Sequence, residues 1–151
     1  MFGKQKYTYD YPRPAVTTDM VVVAPGKDNE LQVLLVERGR DPYKGSWAFP
    51  GGFLNIDEDA PAGARRELKE ETGLTVGQIM QVGAYTDPKR DPRGRVISIV
   101  YVAYLNELQP VQGADDAAQA RWWPADALPP LAFDHAKIMH DVLELIRPVN
   151  M

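Results

Sequence analysis

The sequence contains no cysteine. That removes disulfides, thiolate nucleophiles and every cysteine-based zinc site at once, and it fits a reducing, intracellular compartment. Histidine is scarce, with only His135 and His140. They have no partner at metal spacing, so a structural or surface place is expected for both. A basic excess is also missing: 17 Lys and Arg against 21 Asp and Glu give a formal net charge of −4. A dedicated nucleic-acid binder normally carries the opposite sign. No apolar run is long enough to span a bilayer, and the leader "MFGKQKYTYDYPRP" has no apolar core of signal-peptide length. A soluble, cytoplasmic protein is expected, with neither nucleic acid nor membrane as partner.

What is present is ordinary globular material, 44% hydrophobic and 25% charged over 151 residues. That length suits a single domain, 1–151, with a real core. No internal repeat or low-complexity segment interrupts it. Residues 1–14 read as an extended arm. "AVTTDMVVVAP" (15–25) and "LQVLLVER" (31–38) are β-branched runs around a turn-rich "GKDNE", a hairpin signal. A loop with a short aromatic strand at its centre spans 39–52. A helix fits 60–72, with Asp59 as N-cap, Pro61 in the first turn and Gly73 just past the end. Strands are expected within 75–88 and 95–105, joined by the basic loop "DPKRDPRGR", and another ends at "ARWWP". Alternation there should bury at least one of Trp122 and Trp123. A last helix, 134–147, has Asp134 as N-cap and an apolar face of Ile138, Met139, Val142, Leu145 and Ile146. The expectation is a mixed sheet with helices packed on it.

The unusual stretch is "GGFLNIDEDAPAGARRELKEETGL", residues 51–74. On a helix turning about 100° per residue, Glu71 lies about 40° to one side of Glu67 and Glu70 about 60° to the other. Three carboxylates thus share one face, beside an apolar stripe of Ala64 and Leu68. Two readings stand at this point. The face is a solvated helix surface, or it is a site for a hard divalent cation, Mg²⁺ or Mn²⁺, which oxygen-only ligands select. Mg²⁺ keeps waters and shares substrate phosphates, so the second reading leads toward phosphate chemistry. Gly63 is at odds with a helix interior, where glycine costs about 1 kcal/mol relative to alanine.

The spacing resembles the signature of the Nudix hydrolases: Gly52, five residues, Glu58, seven residues, Arg66-Glu67-Leu68, one residue, Glu70-Glu71, one residue, Gly73-Leu74. Every defining position is filled, a match expected by chance on the order of once in 10⁹ starting points. The resemblance implies an α/β (α+β) fold, an α/β/α sandwich around a mixed sheet. It also implies Mg²⁺-dependent hydrolysis of a nucleoside diphosphate linked to another moiety, and a homodimer. By position, Glu67 and Glu71 would be the principal metal ligands and Glu70 a nearby ligand or catalytic group, with the Gly51 carbonyl facing a metal. Glu58 and Arg66 would brace the motif. The flanking "ERGRDPYKGSWAFPGGF", "TDPKRDPRGRVISIVYVAYL" and "LAFDHAKI" resemble the ADP-ribose pyrophosphatase-like branch.

The resemblance leaves other roles open. A general base often lies outside the motif in this family, and Asp115 and Asp116 in "GADDAAQARWW" are candidates; a solvated turn explains them as well. Arg93 and Arg95, with Arg38 and Arg40 as a second pair, suit an anionic substrate as a set, though each alone reads as a surface cation. Phe49, Trp47 and Tyr85 are candidates to stack on a base, or are core. Other substrates remain in view: an oxidised nucleoside triphosphate, a dinucleotide or a nucleotide sugar. So does a module that senses ADP-ribose without cleaving it. Similar domains also occur fused to a DNA-binding winged helix, for which a sequence ending at Met151 is expected to leave no room.

Overall fold

The β-branched runs make the centre of a mixed sheet. In the computed structural model, which describes residues 6–113 and 117–146, β1 spans Ala15–Pro25 and β2 spans Leu31–Arg38. They pair antiparallel across a 3₁₀ turn, Lys27–Asn29. Asp28 and Asn29 take positive φ there, which their short polar side chains tolerate. Next come β3 (Trp47–Ala48), β4 (Gly51–Phe53), helix α1 (Ala60–Thr72), β5 (Met80–Tyr85), β6 (Val96–Tyr104), β7 (Ala117–Pro124) and helix α2 (His135–Ile146). The strand order is β3-β2-β1-β6-β5, with β4 also on β1 and β7 on β2. Among the strand pairs of the described residues only β1 and β6 run parallel, in register from Ala15↔Val96 to Val23↔Tyr104.

Both faces of the sheet are covered, which is why β1 and β2 are apolar almost throughout rather than alternating. Val21, Val23, Val33, Leu35 and Val102 face α2 and meet its Ile138, Met139, Val142 and Ile146. Met20, Val22, Leu34, Val36 and Tyr101 face the other way, toward Ala64 and Leu68 of α1. The result is the expected α/β/α sandwich. At either end of α1 the local signals agree: the Asp59 carboxylate accepts from the Ala60 N–H, and Gly73 takes the left-handed conformation, φ 77°.

Several expectations need correction. β4 was not foreseen; its three residues, Gly-Gly-Phe, carry no strand pattern and are held by pairing to Thr17, Thr18 and Asp19 of β1. The strand expected within 75–88 begins only at Met80, because Val76 and Ile79 are used as packing against the α1 core. Neither Trp122 nor Trp123 is fully buried: each lies partly covered against a different face of the sheet. Leu145 is exposed. Asp134 does stand at the N-cap position, its carbonyl accepting the Ile138 N–H, and its carboxylate is bound to Arg90 at 2.7 and 2.9 Å. Asp115 and Asp116 lie outside the described residues.

Candidate functional site

A cleft of about 1110 Å³ opens between α1 and the loops beyond the β1–β6 pair. Its acidic wall is α1. Ala64 and Leu68, both fully buried, seat that helix, and complete burial of one leucine is worth about 2 kcal/mol. Gly63 explains itself here. A Cβ at that position would overlap Leu54 Cδ2 and come within 2.9 Å of Glu58 Oε1, so a helix-breaking residue admits the loop that carries Glu58. Gly52 does the same for the acids: a Cβ there would stand 2.8 Å from the Glu67 carboxylate.

Arg66 organises the wall. Its Nε and Nη2 donate to Glu58 at 2.6 and 2.9 Å, a bidentate pair, and Nη1 donates to Glu67 at 2.9 Å and Glu70 at 3.1 Å. Glu58 accepts a further bond from the Asn55 N–H. The hydrogen bonds from Arg66 hold the Glu58 carboxyl below its usual range, against the opposing effect of burial. Glu71 sits deeper. Burial, then a hydrogen bond and charge repulsion from Glu67, push its carboxyl up to about 10, while the Gly51 N–H, 3.4 Å from Oε1, pulls weakly the other way. Glu67, Glu70 and Glu71 therefore share one face, with Glu70 the most exposed. Among the described residues no three acidic or histidine side chains stand in ligand geometry; Arg66 draws Glu67 and Glu70 toward itself.

The opposite wall is basic. Arg38 and Arg93 converge on the ring of Phe133, their guanidinium carbons 4.9 and 5.4 Å from its centroid. Burial and the nearby Arg93 lower the pKa of Arg38. Arg93 is also tied to the buried Asp91 at 2.7 Å; burial opposes ionisation of that carboxyl, but Arg93's side-chain and backbone N–H groups hold it below the usual range. Arg40 lines the cleft with them. Arg95 does not: its guanidinium donates to the Thr86 carbonyl and closes the loop instead. Phe49, considered for base stacking, forms the floor. It is 2% exposed, and one face lies on the His135 ring, 4.9 Å between centroids.

Beneath the floor is a network that sequence reasoning missed. Asp19, alone in an apolar strand, accepts from the Ser98 hydroxyl. His135 accepts the Phe49 N–H at Nδ1, so its proton resides on Nε2, 3.7 Å from Asp19. Burial keeps the imidazole neutral. His140, by contrast, is on the surface. Arg90 and Phe133 were missed as well. The signal for Asp19 was present, because a single acid within an otherwise uncharged, largely apolar strand is seldom buried there without a partner. For Phe133 the signal was its place in "LAFDHAKI", which carried a resemblance but gave the ring no role.

A family model described as "NUDIX domain" matches residues 13–142. The chain is 42% identical over 135 residues to an ADP-ribose pyrophosphatase of Methanocaldococcus jannaschii, covering 88% of this chain and 75% of that one. It is 37% identical over 147 residues to an ADPR responsive transcriptional repressor of Acinetobacter baylyi, covering 95% of this chain but only 57% of the repressor. Among solved structures, the NUDIX domain of Shewanella oneidensis NrtR complexed with ADP ribose superposes with a TM-score of 0.85 at 31% identity, over 96% of each chain.

Proposed function

The chain belongs to the NUDIX family, and from that premise we propose that it is a metal-dependent pyrophosphohydrolase that cleaves ADP-ribose to AMP and ribose 5-phosphate. The observation that carries the reading is the polarity of the cleft, with carboxylates on one wall and arginines on the other. A diphosphate bridged to a cation matches both at once.

The acidic wall fits a divalent ion by its chemistry. A carboxyl pushed to about 10 beside a second carboxylate is a place where a proton or a cation relieves repulsion. Its donors are all oxygen, which points to Mg²⁺, with Mn²⁺ the alternative. Glu67 and Glu71 would hold the ion, with Glu70 and the Gly51 carbonyl close by. Such an ion, when bound, neutralises phosphate charge and makes water more acidic.

The chain's own residues do the rest. Arg38 and Arg93 receive the diphosphate oxygens, and Phe133 keeps the two guanidinium groups together against their mutual repulsion. Arg66 fixes the spacing of Glu67 and Glu70 while anchored on Glu58. The Asp19–His135–Phe49 chain of contacts sets the backbone of β4, and with it Gly51. Asp115 and Asp116 remain the candidates for the general base. A cytoplasmic setting, a homodimer and a small nucleotide rather than nucleic acid as partner complete the proposal.

The test is release of AMP from ADP-ribose with Mg²⁺, with EDTA as control, set beside dinucleotide, nucleotide-sugar and oxidised nucleoside triphosphate substrates. Absence of turnover on ADP-ribose would overturn the assignment. The similarity to an ADP-ribose-responsive repressor favours one other reading, ligand sensing without cleavage. Tight ADP-ribose binding with no AMP released over hours would favour it, whereas the complete set Glu67, Glu70 and Glu71 favours hydrolysis.

A further inference from the structure

Asp91 is a carboxylate in an unfavourable place. It stands on the loop between β5 and β6 and is only 4% exposed. A buried ion pair gains little stability over apolar side chains packed in its place, so stability alone does not account for it. We propose that Asp91 is a positioning residue for the substrate's diphosphate: it grips one edge of the Arg93 guanidinium and leaves the other edge ready for phosphate oxygens. The proposal rests on the reading of the cleft as a nucleoside diphosphate site and adds what sets its basic wall before substrate arrives.

The grip is specific. Arg93 Nε donates to Asp91 Oδ1 at 3.1 Å and Nη2 donates to Oδ2 at 2.7 Å, a fork that matches a carboxylate. The neighbouring Arg90 is engaged elsewhere, its Nε and Nη2 donating to Asp134. A guanidinium has five N–H donors. Among the described residues, Arg93 Nη1 and the second hydrogen of Nη2 have no acceptor. Arg38 repeats the arrangement: its Nε donates to the Pro42 carbonyl at 2.6 Å, which leaves its Nη1 and Nη2 for an anion.

Two guanidinium groups over one ring repel each other, and an unheld pair would spread apart. Asp91 acts on both. It is ion-paired to Arg93, and its charge favours the ionised form of Arg38 against the effect of Arg93. The Phe53 and Phe133 rings, 4.8 and 5.4 Å from the Arg93 guanidinium carbon, add cation–π attraction. Phe53 belongs to β4, so the same arginine ties the basic wall to the strand beside the glutamates. Ordering a free arginine on binding weakens affinity roughly two- to ten-fold. An arginine held in advance avoids that loss.

Asp91 also shapes its own turn. Its Oδ1 accepts the Arg93 backbone N–H at 2.9 Å, and its carbonyl accepts the Gly94 N–H at 3.3 Å. Asparagine suits such a turn as aspartate does, but it carries no charge. Asp91→Asn therefore separates the two roles.

The experiment is steady-state kinetics on ADP-ribose with Mg²⁺ for the intact chain, Asp91→Asn, Arg93→Ala and the double variant. Arg93→Ala is expected to raise KM roughly ten-fold or more, the usual loss for a hydrogen bond to a charged group. Asp91→Asn is expected to raise KM roughly two- to ten-fold and to lower kcat by less. The double variant is expected to match Arg93→Ala alone, because Asp91 acts through Arg93. If the loss from Asp91→Asn persists at full size in the Arg93→Ala background, Asp91 serves the folding of its loop and the proposal is overturned. An unchanged or lower KM in Asp91→Asn, or a fall in kcat alone, also overturns it while sparing the hydrolase. Should Asp91→Asn fail to fold, the Arg93 Nε–H resonance of the intact chain decides. A sharp signal, slow to exchange with water before any ligand is added, supports the grip, and its absence overturns it. No turnover by the intact chain overturns the wider reading and this one with it.

Discussion

Replacing Arg66 by alanine is expected to cost the fold about 3 kcal/mol at neutral pH, more than any single partner of Arg66 accounts for. Its side chain is 27% exposed, against 12% for Glu58, 16% for Glu67 and 44% for Glu70. The Glu70 contact is an exposed i,i+4 pair, worth about 0.3–0.5 kcal/mol. The bidentate Glu58 contact is different. It lies between an exposed pair, worth about 0–1 kcal/mol, and a buried one, whose breakage costs about 3–5. Without Arg66, Glu58 keeps the Asn55 N–H as partner, and Glu67 loses its cationic partner at 2.9 Å. Glu58→Gln retains shape and an acceptor, so it is expected to cost about 1–2 kcal/mol. The double variant should then show a coupling of about 1–2 kcal/mol.

Urea unfolding of the metal-free protein measures all three variants. The pH dependence supplies a second check. Hydrogen bonds from Arg66 lower the Glu58 pKa from 4.5. Its contribution is therefore present above about 4.5 and lost as pH falls through the lower folded value. The Arg66→Ala penalty should shrink in acid. A coupling below about 0.5 kcal/mol at pH 7, or a penalty unchanged at pH 3.5, would refute the assignment of Glu58 and Arg66 as a brace.

Glu71→Gln is expected to lower ADP-ribose turnover on the order of 10³-fold with the circular dichroism spectrum unchanged, and near-normal activity would remove Glu71 from the site. Because burial and Glu67 raise the Glu71 carboxyl to about 10 from 4.5, the stability that goes with its protonated form is full below about 4.5 and is lost as pH rises toward 10. Thermal melts in EDTA should thus fall between pH 5 and 9, and Mg²⁺ should reduce the fall; parallel curves with and without metal would contradict this. Gly63→Ala reverses the simple helix rule: the gain of about 1 kcal/mol in helix propensity should be outweighed by overpacking of about 1–3 kcal/mol against Leu54 and the tethered Glu58, and a more stable variant in urea would disprove it.

The elements read most clearly from sequence are those whose stabilising contacts repeat along the chain. β1 and β2 match their apolar runs residue for residue, because a strand covered on both faces has little freedom in composition. The α1 bounds follow from Asp59 and Gly73, whose roles at the helix ends are local. β4 was illegible for the opposite reason. Its partners, Thr17 to Asp19, lie more than thirty residues upstream, and nothing in Gly-Gly-Phe announces them. Asp134 combines the two: it stands where the local rule puts it, directly before α2, while its carboxylate is bound by Arg90 from a loop 44 positions away.

The same distinction divides the candidate site. Its acidic wall sits within one helix and one adjoining loop, so the spacing of Glu58, Arg66, Glu67, Glu70 and Glu71 carries nearly all its geometry. The basic wall is assembled from β2, the loop before β6 and the segment before α2. The Trp47–Leu131 bridge and the hydrogen bonds of Trp47 to Pro130 and Ala132 bring that last segment to the sheet. Two arginines separated by one residue, Arg93 and Arg95, look alike in sequence. One faces the cleft over Phe133 and the other closes its own loop on Thr86. What separates them is that Arg93 is held on Asp91 and lies over Phe53 as well as Phe133, the latter placed by the start of α2 with a backbone conformation at φ 52° that aromatic residues seldom take. On the proposed reading, the acids that would hold the metal therefore stand where sequence is most readable. The proposed diphosphate-binding wall depends on longer-range placement of basic and aromatic side chains, so among chains sharing the acidic motif it is the arrangement of Arg38, Arg93 and Phe133 that is expected to track the substrate accepted.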